Sequence, residues 1–221
     1  MKLRSVNFGG KVIQVEGIIF DLGGVIINLD YSASVKAFEK NAGVLFSSDH
    51  LGSPLQLDFF SLYEKGKIST IECHQAFCEH FKVKLSLETF RASLNAMLLD
   101  LPQSRLELLK KLSKIVPIFL LSNINEIHLE QMRNHYDWRD ENFKKVYYSH
   151  LVGLRKPDPE IFKLVLKENG LTAEKTLFLD DTLIHIKSAE KLGINVHNIL
   201  KGEDIVNLFQ WEDYNGISPV L

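Results

Sequence analysis

Three short apolar runs, each stopping abruptly against acids or small polar residues, constrain what this chain can fold into. Residues 15–20 run into Asp21, residues 115–121 into Ser122 and Asn123, and residues 176–179 into Asp180 and Asp181. Runs this short suit strands of a parallel sheet that is covered on both sides. Between and after them lie segments of helical periodicity at 105–112, 127–132, 159–167 and 184–192, with stop signals at Asn169–Gly170 and Gly193. Two further short strands are expected at 146–148 and 194–196. This alternation predicts an α/β fold, with a Rossmann-like parallel sheet core and helices on both faces.

Residues 31–101 break the alternation. Val35, Ala37 and Phe38 suit one helix, and Leu57, Phe60 and Tyr63 another. Ser69 and Glu72 form a capping-box pattern ahead of Ala76, Phe77 and Phe81. Ser86 is placed to cap a fourth helix carrying Phe90, Leu94 and Met97. The pattern predicts an inserted α-helical domain over 31–101, with residues 1–30 and 102–221 forming the core. The segment before the first run is compatible with either a strand pair or a loose extension.

Composition narrows the partners. Lys and Arg total 26 against 28 Asp and Glu, a formal net charge of −2, and no basic stripe is present to bind nucleic acid. Apolar stretches fall far short of the roughly 20 residues that a membrane span needs, and Lys2, Arg4 and Lys11 interrupt the N-terminus. Two cysteines cannot build a disulfide framework. A cytoplasmic protein is expected, monomer or homodimer, with neither nucleic acid nor membrane as partner.

In open parallel sheets, ligands bind beyond the carboxyl ends of the strands. There the sequence sets Asp21, Ser122, Asn123, Asp180 and Asp181, and the loop at 153–157 adds Arg155 and Lys156. Carboxylates crowded in this way resist joint ionisation unless a divalent cation and an ammonium balance them. Such a site suits a phosphate dianion.

The segments FDLGGV (20–25), LLSNIN (120–125), GLRKPDPEIF (153–162) and LFLDD (177–181) resemble, in order, the four motifs of the haloacid dehalogenase-like hydrolase superfamily. The helical stretch sits where that superfamily carries its α-helical cap. Within it, the chain looks most similar to the sugar-phosphatase branch related to α-D-glucose-1-phosphate phosphatase and to the N-terminal phosphatase domain of epoxide hydrolases. The resemblance implies a Mg²⁺-dependent phosphatase acting on a small phosphorylated metabolite, such as a sugar phosphate, through an aspartyl-phosphate on Asp21. It further implies that Mg²⁺ is held by Asp21, the main-chain carbonyl of Gly23 and Asp181, with Asp180 in support or as a further ligand. Ser122 and Asn123 are then donors to phosphoryl oxygens, and Lys156 neutralises the phosphoryl group and keeps Asp21 ionised.

One departure stands out. Phosphatases of the superfamily usually carry a second Asp two residues after the nucleophile as general acid, and this chain has Gly23 there. General acid help is typically worth about 10²–10⁴-fold. The sequence therefore leads one to expect better turnover of good leaving groups, such as anomeric sugar phosphates, than of alkyl phosphates. Gly23 also keeps two alternatives open: carbon–halogen hydrolysis by Asp21 and a non-catalytic metabolite-binding protein.

Other residues carry milder expectations. Arg155 is expected to pair with a surface carboxylate, His128 to lie on a helix surface, and Tyr63 to pack between helices. Of the cluster Cys73, His74, Cys78 and His80, only His74 and Cys78 share a helix face, which favours ordinary helix residues over a metal site.

Overall fold

The computed structural model describes residues 2–43 and 57–210. Residues 44–56 of the expected insertion and 211–221 of the expected core, with Met1, lie outside them. The chain opens with β1 (Arg4–Phe8) and β2 (Lys11–Val15), an antiparallel hairpin in register from Arg4 opposite Val15 to Phe8 opposite Lys11. Its two-residue loop is Gly9 and Gly10, both at positive φ, which a tight hairpin demands. The opening segment is therefore a strand pair.

The run at 15–20 divides at Glu16, and the buried strand β3 spans Gly17–Phe20. Glycine is needed at its start, because a Cβ at Gly17 would lie 2.7 Å from the Phe119 ring. The remaining strands are β4 (Ile118–Ser122), β5 (Lys145–Tyr148), β6 (Thr176–Asp180) and β7 (Asn195–Asn198). They form one sheet in the order β5-β4-β3-β6-β7, with every neighbouring pair parallel. Strand alternation divides the core in two. Ile18, Phe20, Leu120 and Leu179 pack on one face, and Ile19, Phe119, Leu121 and Phe178 on the other.

Helices cover both faces. On the first lie α5 (Gln103–Leu112), α6 (Glu126–His135) and α10 (Ile205–Leu208), through Leu109, Met132 and Ile205. On the second lie α8 (Pro159–Asn169) and α9 (Leu183–Glu190), through Phe162 and Ile186. A short α7 (Ser149–Val152) follows β5.

Between β3 and α5 stand α1 (Tyr31–Ala42), α2 (Asp58–Glu64), α3 (Thr70–Phe81) and α4 (Leu87–Asn95). The capping box at Ser69 and Glu72 forms, and Ser86 caps α4. Phe38, Phe60, Phe77 and Phe90 give these helices their own apolar centre, which meets the rest of the molecule through Ile127 of α6. The two crossings to the sheet are bonded to each other. Asn28 N–H donates to the Asp100 carbonyl at 3.0 Å, Leu99 N–H to Asn28 at 3.0 Å, and Asp30 N–H to Met97 at 2.9 Å. Among the described residues, no helix is long and apolar enough to cross a membrane.

Candidate active site

β3 is the central strand, flanked by β4 and β6, so the carboxyl ends of all three deliver their terminal residues to one rim. Asp21 leaves β3, Ser122 ends β4, and Asp180 ends β6 with Asp181 next in line. Lys156 arrives from the loop between α7 and α8, wholly buried. Its Nζ lies 2.8 Å from Asp21 Oδ1 and 2.6 Å from Asp180 Oδ2. The sequence-expected acids and lysine thus share one cluster.

Asp181 completes it. A Cβ at Gly24 would fall 2.1 Å from Asp181 Oδ2, so that carboxylate lies directly over the glycine backbone. Gly24 also has φ +73°. Gly24→Ala is expected to cost about 1–2 kcal/mol from the left-handed backbone alone, and more from displacing Asp181. A lowered midpoint in thermal or urea unfolding checks this.

The electrostatics follow from crowding. Burial pushes the Asp21 carboxyl well above its ordinary range, and Asp180 and Asp181 reinforce that against the pull of Lys156. Burial also works against Asp180, but Lys156 and His185 outweigh it and hold that carboxyl at about 2. One ammonium serves three carboxylates, and Asp180 has the larger share of it.

His185 was not apparent from the sequence. It sits on the first turn of α9, with Nδ1 3.0 Å and 3.1 Å from the two Asp180 oxygens. The Thr182 amide donates to Asp180 Oδ1 at 2.8 Å. The available signal was a histidine five residues beyond a strand-ending acid, on the turn that folds back over it. Ligand atoms of Asp21, Asp180 and His185 lie within 4.8 Å of one another.

Asn123 has a different use from the one expected of its side chain. Its Nδ2 donates to the Lys156 carbonyl at 2.8 Å, and its Oδ1 accepts from the Lys156 amide at 2.8 Å. The side chain is committed to holding the lysine loop. Ser122, almost fully buried, lines the cavity beside it.

That cavity, about 870 Å³, is bounded by Asp21, Gly23, Ser122, Asn123 and His185 from the strand ends. The helical segment contributes Tyr31, Val35 and Glu64. Two expectations are corrected here. Arg155 pairs with no surface carboxylate: its Nη2 lies 2.9 Å from Oε2 of buried Glu64, and its Nη1 donates to Ser61 Oγ at 3.1 Å. Glu64 lies far away in sequence, on α2, so the local pattern around Arg155 carries no sign of this partner. His128 is buried rather than on a surface. Its main-chain N–H donates to Asn125 Oδ1 and its ring meets the Leu94 carbonyl, while burial lowers its pKa to about 4.

Tyr63 packs as expected, buried, with its hydroxyl 2.8 Å from Thr70 Oγ1. His74 and Cys78 do share a face, with Nε2 and Sγ 3.4 Å apart, while Cys73 is buried in the apolar centre of the helices.

Comparison with known proteins agrees with the strand-end geometry. The D-ribitol-5-phosphate phosphatase of Bacteroides thetaiotaomicron is 27% identical over 196 residues, covering 86% of this chain and 95% of that protein. The sesquiterpene phosphatase astK of Aspergillus oryzae is 28% identical over 181 residues, covering 80% and 85%. The crystal structure of the HAD family enzyme bt-2542 of Bacteroides thetaiotaomicron, in complex with magnesium and inorganic phosphate, superposes with TM-score 0.78 at 34% identity, over 89% of this chain and 100% of that one. The L-2-haloacid dehalogenase RSc1362, at 18% identity and TM-score 0.59, shares the fold. The family model for haloacid dehalogenase-like hydrolases matches residues 15–193, from the end of the hairpin to the turn before β7. With three strand-end motifs and the lysine loop brought to one rim over that same span, the chain belongs to the haloacid dehalogenase-like hydrolase family.

Proposed function

We propose that this protein is a phosphatase that hydrolyses a small phosphorylated polyol or sugar through an aspartyl-phosphate on Asp21. The observation that carries the reading is the buried Lys156 ammonium, held between Asp180 and the Asp21 carboxylate that lines the cavity. A carboxylate oxygen attacks phosphorus in line, and the ammonium beside it balances the charge of the transferred group. Ser122 and the main-chain N–H of Asn123 orient the phosphoryl oxygens. The magnesium and phosphate bound by the bt-2542 enzyme, and the phosphatase names of two relatives, support the same chemistry.

Magnesium fits the donor set. Three carboxylates around one ammonium leave an excess of two negative charges, and hard oxygen donors suit this dication. Asp21, Asp181 and the Gly23 carbonyl would hold it, with Asp180, already bonded to Lys156 and His185, in support. Bound there, the ion supplies positive charge to the phosphoryl oxygens. The helices of 31–101 act as a cap that encloses the leaving group and excludes water. Carbon–halogen hydrolysis is disfavoured because Arg155, the cavity's guanidinium, is already paired with Glu64 rather than free for a haloacid carboxylate.

A panel of phosphorylated metabolites that includes ribitol 5-phosphate, glycerol 3-phosphate and glucose 1-phosphate tests the reading. Phosphate release is expected with Mg²⁺, to fall to background with a chelator, and to return when Mg²⁺ is added in excess. Turnover that survives complete chelation would overturn it.

A further inference from the structure

The wall of the cavity beside Gly23 holds no acid. A Cβ at Gly23 would lie 2.5 Å from Leu29 Cδ1, so a side chain there would have to push the end of Leu29 aside. Ile27, Leu29, Met97 and Leu98 make this part of the lining apolar. An alkoxide leaving phosphorus is strongly basic, and its departure is slow unless a proton reaches it in the transition state.

The titratable groups of the lining narrow the source. Asp21 is the attacking carboxylate. His185 gives Nδ1 to Asp180, which in a neutral ring leaves Nε2 an acceptor with no proton to give. Arg155 does not give up its proton. The Tyr31 phenol is by nature a far weaker acid than a carboxyl, and the residue is 46% exposed. Glu64 remains. It is only 6% exposed, lines the cavity from the end of α2, and meets Arg155 Nη2 at 2.9 Å. Its Oε2 accepts no aligned hydrogen bond among the described residues, so the pair is not saturated.

We propose that Glu64, presented by the helical insertion, is the general acid that protonates the leaving oxygen. This rests on the phosphatase reading above. In the step, an Asp21 carboxylate oxygen forms a bond to phosphorus while the bond from phosphorus to the ester oxygen breaks. The electron pair of that bond stays on the departing oxygen, which takes the proton of the Glu64 carboxyl. Glu64 is left as a carboxylate beside Arg155, whose charge stabilises it. Burial raises the carboxyl to about 6 against the pull of Arg155 and then Lys156, which suits a group that must both hold and release a proton near neutrality.

The test compares kcat/KM of the full chain with Mg²⁺ and of Glu64→Gln on three phosphate esters: p-nitrophenyl phosphate, propyl phosphate and ribitol 5-phosphate. kcat/KM reports steps up to phosphorylation of Asp21, so later hydrolysis does not enter. The aryl leaving group needs little protonation, and the two alkyl ones need it fully. The expected result is a loss on both alkyl esters exceeding that on the aryl ester by about 10²-fold. The preference for good leaving groups expected from Gly23 then appears in the variant rather than in the parent. Equal losses on all three esters would mean that Glu64 only holds the insertion in place, and a loss confined to ribitol 5-phosphate that it only binds hydroxyl groups. Either overturns the proposal. If Glu64→Gln does not fold, Glu64→Asp decides: it holds the acid one methylene short of the leaving oxygen, so a smaller loss that still falls mainly on the two alkyl esters is expected, and equal losses on all three overturn the proposal. A parent inactive even on the aryl ester would remove the phosphatase reading itself, and this proposal with it.

Discussion

Asp21→Asn is expected to lower phosphate release by about 10⁴-fold or more, the scale of losing a covalent nucleophile, while raising the melting temperature of the metal-free protein. The two effects share one cause. The Asp21 carboxyl has a raised pKa in the folded state because it is buried beside Asp180 and Asp181. An acid whose folded pKa lies above its unfolded one stabilises the fold when protonated, and that contribution is lost as pH rises through the folded value. At neutral pH the ionised group therefore weighs against folding, and the neutral amide removes the burden. The gain should be largest at neutral pH and shrink as acid protonates Asp21 in the parent. Steady-state assays and melting curves in chelator across that pH range check both halves. Residual turnover close to that of the parent would point to a different nucleophile. A melting temperature that falls instead would mean that the Asp21 contact with Lys156 outweighs the repulsion.

Lys156→Met carries the largest expected loss of stability. The side chain is wholly buried between Asp21 and Asp180, and its ammonium also lies 5.5 Å from the centre of the Phe178 ring. Methionine approximates its volume but strands two buried carboxylates, a type of change that typically costs about 3–5 kcal/mol. For a chain of this size that is a drop of roughly 10 °C or more in melting temperature. The sign again fixes the pH dependence. Asp180 is held at about 2 by Lys156 and His185 against its burial, so its contribution is fully present above the ordinary carboxylate range and fades as pH falls toward 2. The deficit of the variant should therefore be greatest near neutrality and narrow in acid. Loss of turnover without any loss of stability would show that the carboxylates tolerate each other unaided.

The strand ends were legible because they combine two local signals: apolar runs too short for helices, and acids where a buried run must stop. The order of the sheet, with the first run at its centre, was not legible, because alternation of strands and helices is compatible with more than one order. The hairpin was harder to read. Its strands show weak alternation, and only the Gly9–Gly10 pair marks the turn. His185, Glu64 and the partner of Arg155 were not legible at all, and for one reason. Each acquires its meaning from a neighbour on another element, such as α2 lying against the lysine loop, and side-chain periodicity carries no information about such meetings. His128 shows the same limit in reverse, since its helix is covered by α4 on the side where a surface had been expected.

The paired crossings at Asn28–Asp30 and Met97–Asp100 bear on how the two halves of the molecule can move. The outgoing and returning strands form a single ribbon, with Leu29 opposite Leu98 and the Asn28 side-chain amide donating to Asp100 at 2.9 Å. Neither strand can bend alone without breaking bonds to the other. Any rotation of the described helices over the sheet would have to bend both strands together, like a door hung on a double strap. Leu29, which fills the space beside Gly23, is part of that strap, so a bend there would also reshape the wall of the cavity beneath the helices.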